Sequence, residues 1–483
     1  MKQIAWLFIC WACLTEVARA QTLVEKIDAL LASESILKTS EAGIAIYDLT
    51  ADKPVYTYQA EKLYRPASIE KVITSVTALA QLGKDYRYKT RLSYTGTIID
   101  GVLEGDLYVV GGFDPEFMES DMQLLADTIQ FSGIRQIKGK LIGDVSLMDS
   151  VYWGNGWSWD DTPEAFQPYL SPLMLNRGCV DVMVSPGAVG EPGNVVASPE
   201  SDYYEIKNHS LTKVSHAGKL KVTRNWLENG NTLLVSGNVV ASRKRTLNLY
   251  NPQRYFMQTF RYVLHKNGIE IPSDSLVFGK VPEKVAPLCL CIRPLETVLN
   301  RALKESDNLA AESMFYHLGG HYARKSEGIS SEDGQKAIYE FMDNYIGYPS
   351  RSYKIVDGSG VSLYNYVSPD LVLAYLKYAY RHPDIYDSFY NGLPVAGIDG
   401  TLEHRMKKSQ ACRKVRAKTG TVTGISSLAG YAESQSGHIY AFVIINQNVL
   451  RAGQARNFQD KICEILVTDD AYDRINEKRY EFE

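Results

Sequence analysis

Three short strings in this 483-residue chain hold the residue types that serine acyl transfer requires: Ser68-Ile69-Glu70-Lys71, Ser306-Asp307-Asn308 and Lys418-Thr419-Gly420. Acyl transfer needs an oxygen nucleophile, a group to take its proton and donors for the charge that develops. Ser68 and Lys71 are three residues apart, so on a helix they share a face and the amine can reach the hydroxyl. A lysine acts as a base only when neutral, which takes burial or a neighbouring cation, and Lys418 is a candidate for that cation. Ser306 is expected to relay a proton between Lys71 and a leaving amine, and Asn308 to hydrogen-bond both Lys71 and a substrate amide. Lys418, with Thr419 or Thr421, is expected to hold a substrate carboxylate. Gly420 would let an extended peptide come close to a strand edge. The backbone N–H groups of Ser68 and Thr421 would form the oxyanion hole. Each string alone has an ordinary explanation: chance for the first, helix capping for Ser306-Asp307, a solvated lysine for the third. Together and in this order they point to one active site.

The elements that must position these residues are legible in part. Pro66 opens a helix that runs to about Leu82 with Gly83 as its cap, which puts Ser68 in the first turn. Asp307 can cap a helix over about Asn308 to Leu318. Lys418 falls on a strand over Lys414 to Thr421, followed by strands over Ser427 to Glu433 and His438 to Ile445. Near the N-terminus, apolar spacing predicts a helix over 23–38, then strands over Gly43 to Tyr47 and Val55 to Tyr58. Leu371 to Tyr380 and Ala455 to Leu466 read as helices. Between about Lys89 and Arg293 the character changes to strand-like runs with frequent glycine and proline: Leu107 to Val110, Gln136 to Ile142, Val180 to Val184, Leu211 to Val222 and Thr232 to Val240. The first and second strings are therefore split by a large β-rich insertion.

Length allows two or three domains. The balance of 45% apolar and 22% charged residues is that of a globular protein, and a net charge of -4 gives no basis for nucleic-acid binding. Residues 1–20 read as a signal peptide: Lys2, an apolar run from Ile4 to Leu14 too short to span a bilayer, and Ala18-Arg19-Ala20 at the cleavage site. A lipoprotein signal at Cys13 fits poorly. No later stretch reads as a membrane segment. Cys179, Cys289, Cys291, Cys412 and Cys463 remain in the mature chain; their odd number leaves at least one unpaired, and buried thiols are expected rather than a disulfide framework. His317 and His321 have metal-ligand spacing, but Gly319 and Gly320 between them weaken a helix and no third ligand is near, so a structural role is expected.

Beyond the three strings, Arg65-Pro-Ala-Ser68, Gly111-Gly-Phe-Asp-Pro115, Gly156-Trp-Ser-Trp-Asp-Asp161, Asp357-Gly-Ser-Gly360 and Leu393-Pro-Val-Ala-Gly-Ile-Asp-Gly-Thr-Leu402 carry a resemblance. The chain resembles the D-Ala-D-Ala carboxypeptidase/endopeptidase family, the class C low-molecular-mass penicillin-binding proteins. The resemblance implies an α/β fold: a serine β-lactamase/DD-peptidase-like domain, an antiparallel sheet flanked by helices, with two inserted β-rich domains. It implies a peptidase domain over 21–88 and 294–483, one inserted domain over 89–175 and 270–293, and another over 176–269. It further implies cleavage of peptidoglycan stem peptides through an acyl-enzyme on Ser68, without metal or organic cofactor, inhibition by β-lactam antibiotics, and export to the periplasm, with the protein free or peripheral on membrane or wall. Asp160 and Asp161 are candidates for contact with the substrate's free amine. One departure stands out: where the family commonly reads Leu-Ser-Arg after Asp-Gly-Ser-Gly, this chain has Val361-Ser362-Leu363. In relatives that arginine helps bind the acidic end of a stem-peptide side chain. The rival readings are a β-lactamase, disfavoured by the long insertion, and a non-catalytic wall-binding protein, disfavoured by the intact strings.

Overall fold

The computed structural model describes residues 21–215, 218–272 and 274–470; the expected signal peptide, with Cys10 and Cys13, lies outside them. The two ends of the described chain build one five-stranded antiparallel sheet. Its spatial order is Val415–Val422, Gly424–Glu433, Ile439–Val449, Glu41–Asp48 and Lys53–Tyr58. Glu41 pairs with Gln447 and Asp48 with Tyr440, so the first strand inserts beside the last.

Alternation along these strands assigns each face to its own core, as a period of two requires. Ala42, Ile44 and Ile46, with Leu428, Phe442 and Ile444, pack against the helices Leu23–Ser33 and Ala452–Val467. Ala45, Ala429, Tyr431, Ala441, Val443 and Ile445 face the opposite way, onto the helices Glu70–Leu82, Asn308–Ala323 and Pro369–Arg381. The expected antiparallel sheet with helices on both faces is thus the observed one.

Local departures have local causes. The helix expected over 23–38 stops at Ser33, because Glu34 is extended (ψ 116°), and resumes as a short 3-10 turn, Ser35–Lys38. The break falls at Ser33-Glu34-Ser35, where serine side chains compete for backbone bonds and Ser33 Oγ donates to the Leu30 carbonyl. The run Gln136 to Ile142 is two strands in different sheets, Gln136–Ile137 and Leu141–Asp144. Gly139 sits at the change, where a Cβ would stand 2.2 Å from the Gly105 carbonyl oxygen. Leu211 to Val222 is not one strand: Ile206–Thr212 ends at its start and Lys221–Arg224 begins at its end.

The inserted segment carries its own core. A five-stranded sheet joins Arg87–Tyr94, Leu107–Val110 and Leu141–Asp144 with Leu276–Phe278 and Ala286–Pro294, so residues from both ends of the insertion meet in it. Two three-stranded sheets come from 179–248. One continuous apolar cluster, including Leu107, Val182, Val235 and Phe256, links these sheets to the helices Glu119–Phe131 and Pro252–Lys266. The insertion is tied to the main sheet's helices beside the second string. Arg177 bonds Glu116 at 3.0 Å and lies 3.7 Å from Asp307, and Arg301 Nε reaches Glu116 at 3.1 Å. The five cysteines of the described residues are free thiols, and Cys179, Cys291 and Cys463 are buried. No helix of the described residues is long and apolar enough to cross a membrane.

Candidate active site

Ser68 lies in a 3-10 turn, Ala67–Ile69, that runs directly into the helix Glu70–Leu82. Ala67 has a φ of +49°, in the left-handed region, which costs an L-residue about 1–2 kcal/mol. Two glycines from distant strings let other elements close on this turn. A Cβ at Gly360 would meet the Ala67 carbonyl oxygen at 2.0 Å, and one at Gly420 would stand 2.9 Å from the Pro66 oxygen and 3.0 Å from Ser68 N. Ser427 Oγ, on the neighbouring strand, donates to the Pro66 carbonyl at 2.7 Å. The strained turn is therefore held by packing and hydrogen bonds from two sides.

Lys71 is completely buried, and its Nζ contacts Ser68 Oγ at 3.0 Å, Asn308 Oδ1 at 2.7 Å and the Ser359 carbonyl at 2.7 Å. Burial lowers its pKa to about 8, while the charges of Asp357, Glu312, Asp307 and Glu70 oppose the shift. Lys418 is also buried, and its pKa is lowered well below the usual one, first by burial and second by its repulsion with Lys71. Asn308 opens the helix Asn308–Ala323 and Asp307 caps it, its carboxylate accepting from Ala310 N at 2.8 Å. Asn308 Nδ2 donates to the Phe166 carbonyl at 2.6 Å, which brings the insertion to the site. Ser306 also has a left-handed backbone (φ +60°), and its Oγ accepts from Lys418 Nζ at 2.7 Å. Lys418 Nζ additionally bonds the Thr419 carbonyl at 2.8 Å.

Val415–Val422 is an edge strand. Its first half is covered, since Ala417 N–H donates outward to the Pro394 carbonyl at 3.0 Å. By the alternation of a strand, the N–H groups of Thr419 and Thr421 point to the same edge, past the covered part. Ser68, Ser306, Thr401, Thr419, Thr421 and Arg456 line one cleft of about 500 Å³ against that edge. The structure thus brings Ser68, Lys71, Ser306, Asn308, Lys418, Thr419, Gly420 and Thr421 together. Asp160 and Asp161 sit on a turn, Trp159–Asp161, and neither lines this cleft. Asp160 is exposed, and burial with the charges of Asp160 and Glu164 raises the Asp161 carboxyl. The segment around them does reach the site's support, because Trp157 Nε1 donates to Asp357 Oδ2 at 2.9 Å.

Sequence reading overlooked a buried layer behind Lys71. Glu312, one helical turn after Asn308, accepts from Ser359 N at 2.8 Å and Gly358 N at 3.1 Å, and burial lifts its pKa to about 8. Asp357 accepts from Gly360 N, Ser362 N and Asn365 Nδ2. These bonds shape the loop whose Ser359 carbonyl holds Lys71. The Asp357-Gly-Ser-Gly360 string and the four-residue spacing of Asn308 and Glu312 were the available signals. Glu70 is fully buried with both carboxyl oxygens unpartnered.

His317 is structural, bonding Tyr86 OH at 2.7 Å and the Gly112 carbonyl at 3.1 Å, with burial lowering its pKa to about 4. No cluster of metal-ligating side chains occurs among the described residues. Gly319 and Gly320 do not break the helix. They admit its neighbours, since Cβ atoms there would meet Gly334 N and Ile329 Cδ1 at 2.5 Å.

The profile of the D-Ala-D-Ala carboxypeptidase 3 (S13) family matches residues 23–468. A D-alanyl-D-alanine carboxypeptidase from an Actinomadura species is 28% identical over 449 residues, covering 89% of this chain and 81% of its own. The crystal structure of penicillin binding protein 4 from Haemophilus influenzae superposes with a TM-score of 0.80 at 23% identity, over 92% of this chain and 99% of that one. The same protein complexed with a β-lactam gives a TM-score of 0.75 at 22% identity, over the same shares.

Proposed function

This chain belongs to the D-Ala-D-Ala carboxypeptidase 3 (S13) family and is a serine-type DD-peptidase, and we propose that Ser68 is its nucleophile and Lys71 its general base. The observation that carries the assignment is the buried Lys71 amine, bonded at once to Ser68, Asn308 and the Ser359 carbonyl. Neutral Lys71 accepts the Ser68 proton as Oγ attacks the carbonyl of the penultimate D-alanine. The N–H groups of Ser68 and Thr421 receive the oxyanion. Ser306, held by Lys418, passes its proton to the leaving amine and takes in its place the one Lys71 received from Ser68, the bond to the amine breaks, and water later releases the acyl group and returns the proton to Ser68. Asn308 keeps Lys71 in place, and the edge strand at Thr419-Gly420-Thr421 aligns the peptide. No step requires a metal or organic cofactor.

The substrates we assign are stem peptides ending in D-Ala-D-Ala and cross-links that end in a D-centre. β-Lactams would acylate Ser68 and block it. We also assign the mature protein to the periplasm, with residues 1–20 as its signal. We read 21–88 and 294–483 as the peptidase domain. We read 89–175 with 270–293, and 176–269, as the inserted domains. Leu363, in place of the family's arginine, leaves the side-chain site without its cation; Asp160 and Asp161 remain candidates for the substrate's amine from the bordering segment. The test is D-alanine release from a stem pentapeptide: wild-type protein liberates it, and Ser68→Ala does not. Release by Ser68→Ala at the wild-type rate would contradict the assignment.

A further inference from the structure

Besides Ser68, two acceptors hold the Lys71 amine, and one segment of the insertion fixes the orientation of both. The first is the Asn308 amide oxygen, at 2.7 Å. The Phe166 carbonyl meets the other end of that amide at 2.6 Å. A carbonyl only accepts, so the NH2 end must face Phe166 and the oxygen must face Lys71. The second acceptor is the Ser359 carbonyl, also at 2.7 Å. It shares one planar peptide group with the Gly360 N–H, which donates to Asp357 Oδ1 at 2.9 Å. Rotating that group away from Lys71 would break its bond to Asp357. Asp357 is held in turn from the insertion, by Trp157 Nε1 at 2.9 Å. Trp157 is docked on the same loop: Ser362 Oγ donates to the Asn155 carbonyl at 2.8 Å, and the Leu363 N–H to the Gly156 carbonyl at 3.2 Å. Gly156 has a φ of +75°, and a Cβ there would meet Ser362 Oγ at 2.6 Å. The Trp157 ring is buried in the apolar cluster of the main sheet's helices. Neither Trp157 nor Phe166 lines the cleft beside Ser68.

We propose that residues 155–166 of the insertion are a positioning device for the base: they orient both acceptors of Lys71, and so set the rate of acylation rather than the affinity for substrate. The inference rests on the serine DD-peptidase reading and deepens it. Trp157 acts through Asp357 and the Ser359–Gly360 peptide group, and Phe166 through Asn308, so both are positioning residues. Asp160 and Asp161 lie between them on the same segment. A substrate amine held by these carboxylates would bear on Lys71 through two hydrogen-bonded links, and its binding would be expressed in kcat as well as in KM.

The experiment is stopped-flow acylation over a range of penicillin concentrations, in wild-type protein, Trp157→Phe and Trp159→Phe. Trp157→Phe keeps an aromatic ring and removes the N–H that Asp357 accepts. Trp159 is the control on the same segment, 65% exposed and packed against Trp226. The maximal acylation rate is expected to fall roughly tenfold in Trp157→Phe, the scale of one hydrogen bond to a charged group. The half-saturating penicillin concentration and the fraction of protein acylated are expected to stay at wild-type values, and Trp159→Phe to match wild type in all three. An unchanged maximal rate in Trp157→Phe would overturn the proposal, as would an equal loss in Trp159→Phe. A smaller acylated fraction at the wild-type rate would show that Trp157 only holds the fold, and would overturn it too. Wild-type protein that penicillin does not acylate would overturn the peptidase reading, and this inference with it.

Discussion

Lys71 Nζ stands 3.0 Å from Ser68 Oγ, its longest contact, while two bonds of 2.7 Å tie it to the Asn308 amide oxygen and the Ser359 carbonyl. Those two partners only accept, so they retain two N–H groups whatever the charge of the amine. When the third proton leaves, the lone pair is the group that faces Ser68. The geometry therefore prepares the neutral amine as a base.

A pH dependence follows. Burial lowers the Lys71 pKa to about 8, and a lysine base is active only when deprotonated. The second-order rate constant for acylation by penicillin should rise about tenfold per pH unit below 8 and level off above it. Stopped-flow acylation kinetics between pH 6 and 9.5 check this; a flat profile would contradict Lys71 as the base.

Gly420 has no room for a side chain. A Cβ there would stand 2.1 Å from Ser427 Oγ and 3.0 Å from Ser68 N, against the turn that carries the nucleophile. Gly420→Ala should displace the edge strand or break the Ser427–Pro66 bond, and a shift on the order of 1 Å can slow catalysis about a hundredfold. Acylation kinetics should show that loss while thermal unfolding stays cooperative.

Glu70 occupies a buried position with no hydrogen-bond partner, and its pKa is raised well above the usual 4.5 by burial first and by Asp357 next. A raised carboxyl favours the folded state fully below the unfolded pKa, and that stability is lost as pH rises toward the folded value. Glu70→Met removes the unpartnered group and should stabilise the protein by about 1–3 kcal/mol at neutral pH. The gain over wild type should widen from pH 4.5 upward, as urea unfolding at several pH values would report.

Leu363 is half-buried, with its N–H donating to the Gly156 carbonyl at 3.2 Å and exposed Tyr364 beside it. Leu363→Arg introduces a cation at this position and should raise kcat/KM for stem peptides with an acidic side-chain end roughly tenfold, relative to those with a lysine. Parallel assays with the two peptides check the ratio.

What was legible in the sequence was local. Ser68 and Lys71 are one turn apart, Asp307 caps its own helix, and the last two strands read as nearly continuous small or apolar runs because each face meets its own core. The buried layer was not legible, because Glu312 and Asp357 resemble solvated carboxylates until the fold carries them behind Lys71. The positive φ of Ala67 was hidden for a similar reason: Gly360 and Ser427, which hold that turn, are distant in the chain. The depth of burial that lowers both lysines first was not legible either, because sequence does not report burial.

The most direct test of the account is mass spectrometry of the protein after reaction with penicillin. The account predicts one covalent penicilloyl group on the peptide that contains Ser68, absent in Ser68→Ala. An adduct on any other peptide, or persistence of the adduct in Ser68→Ala, would contradict it.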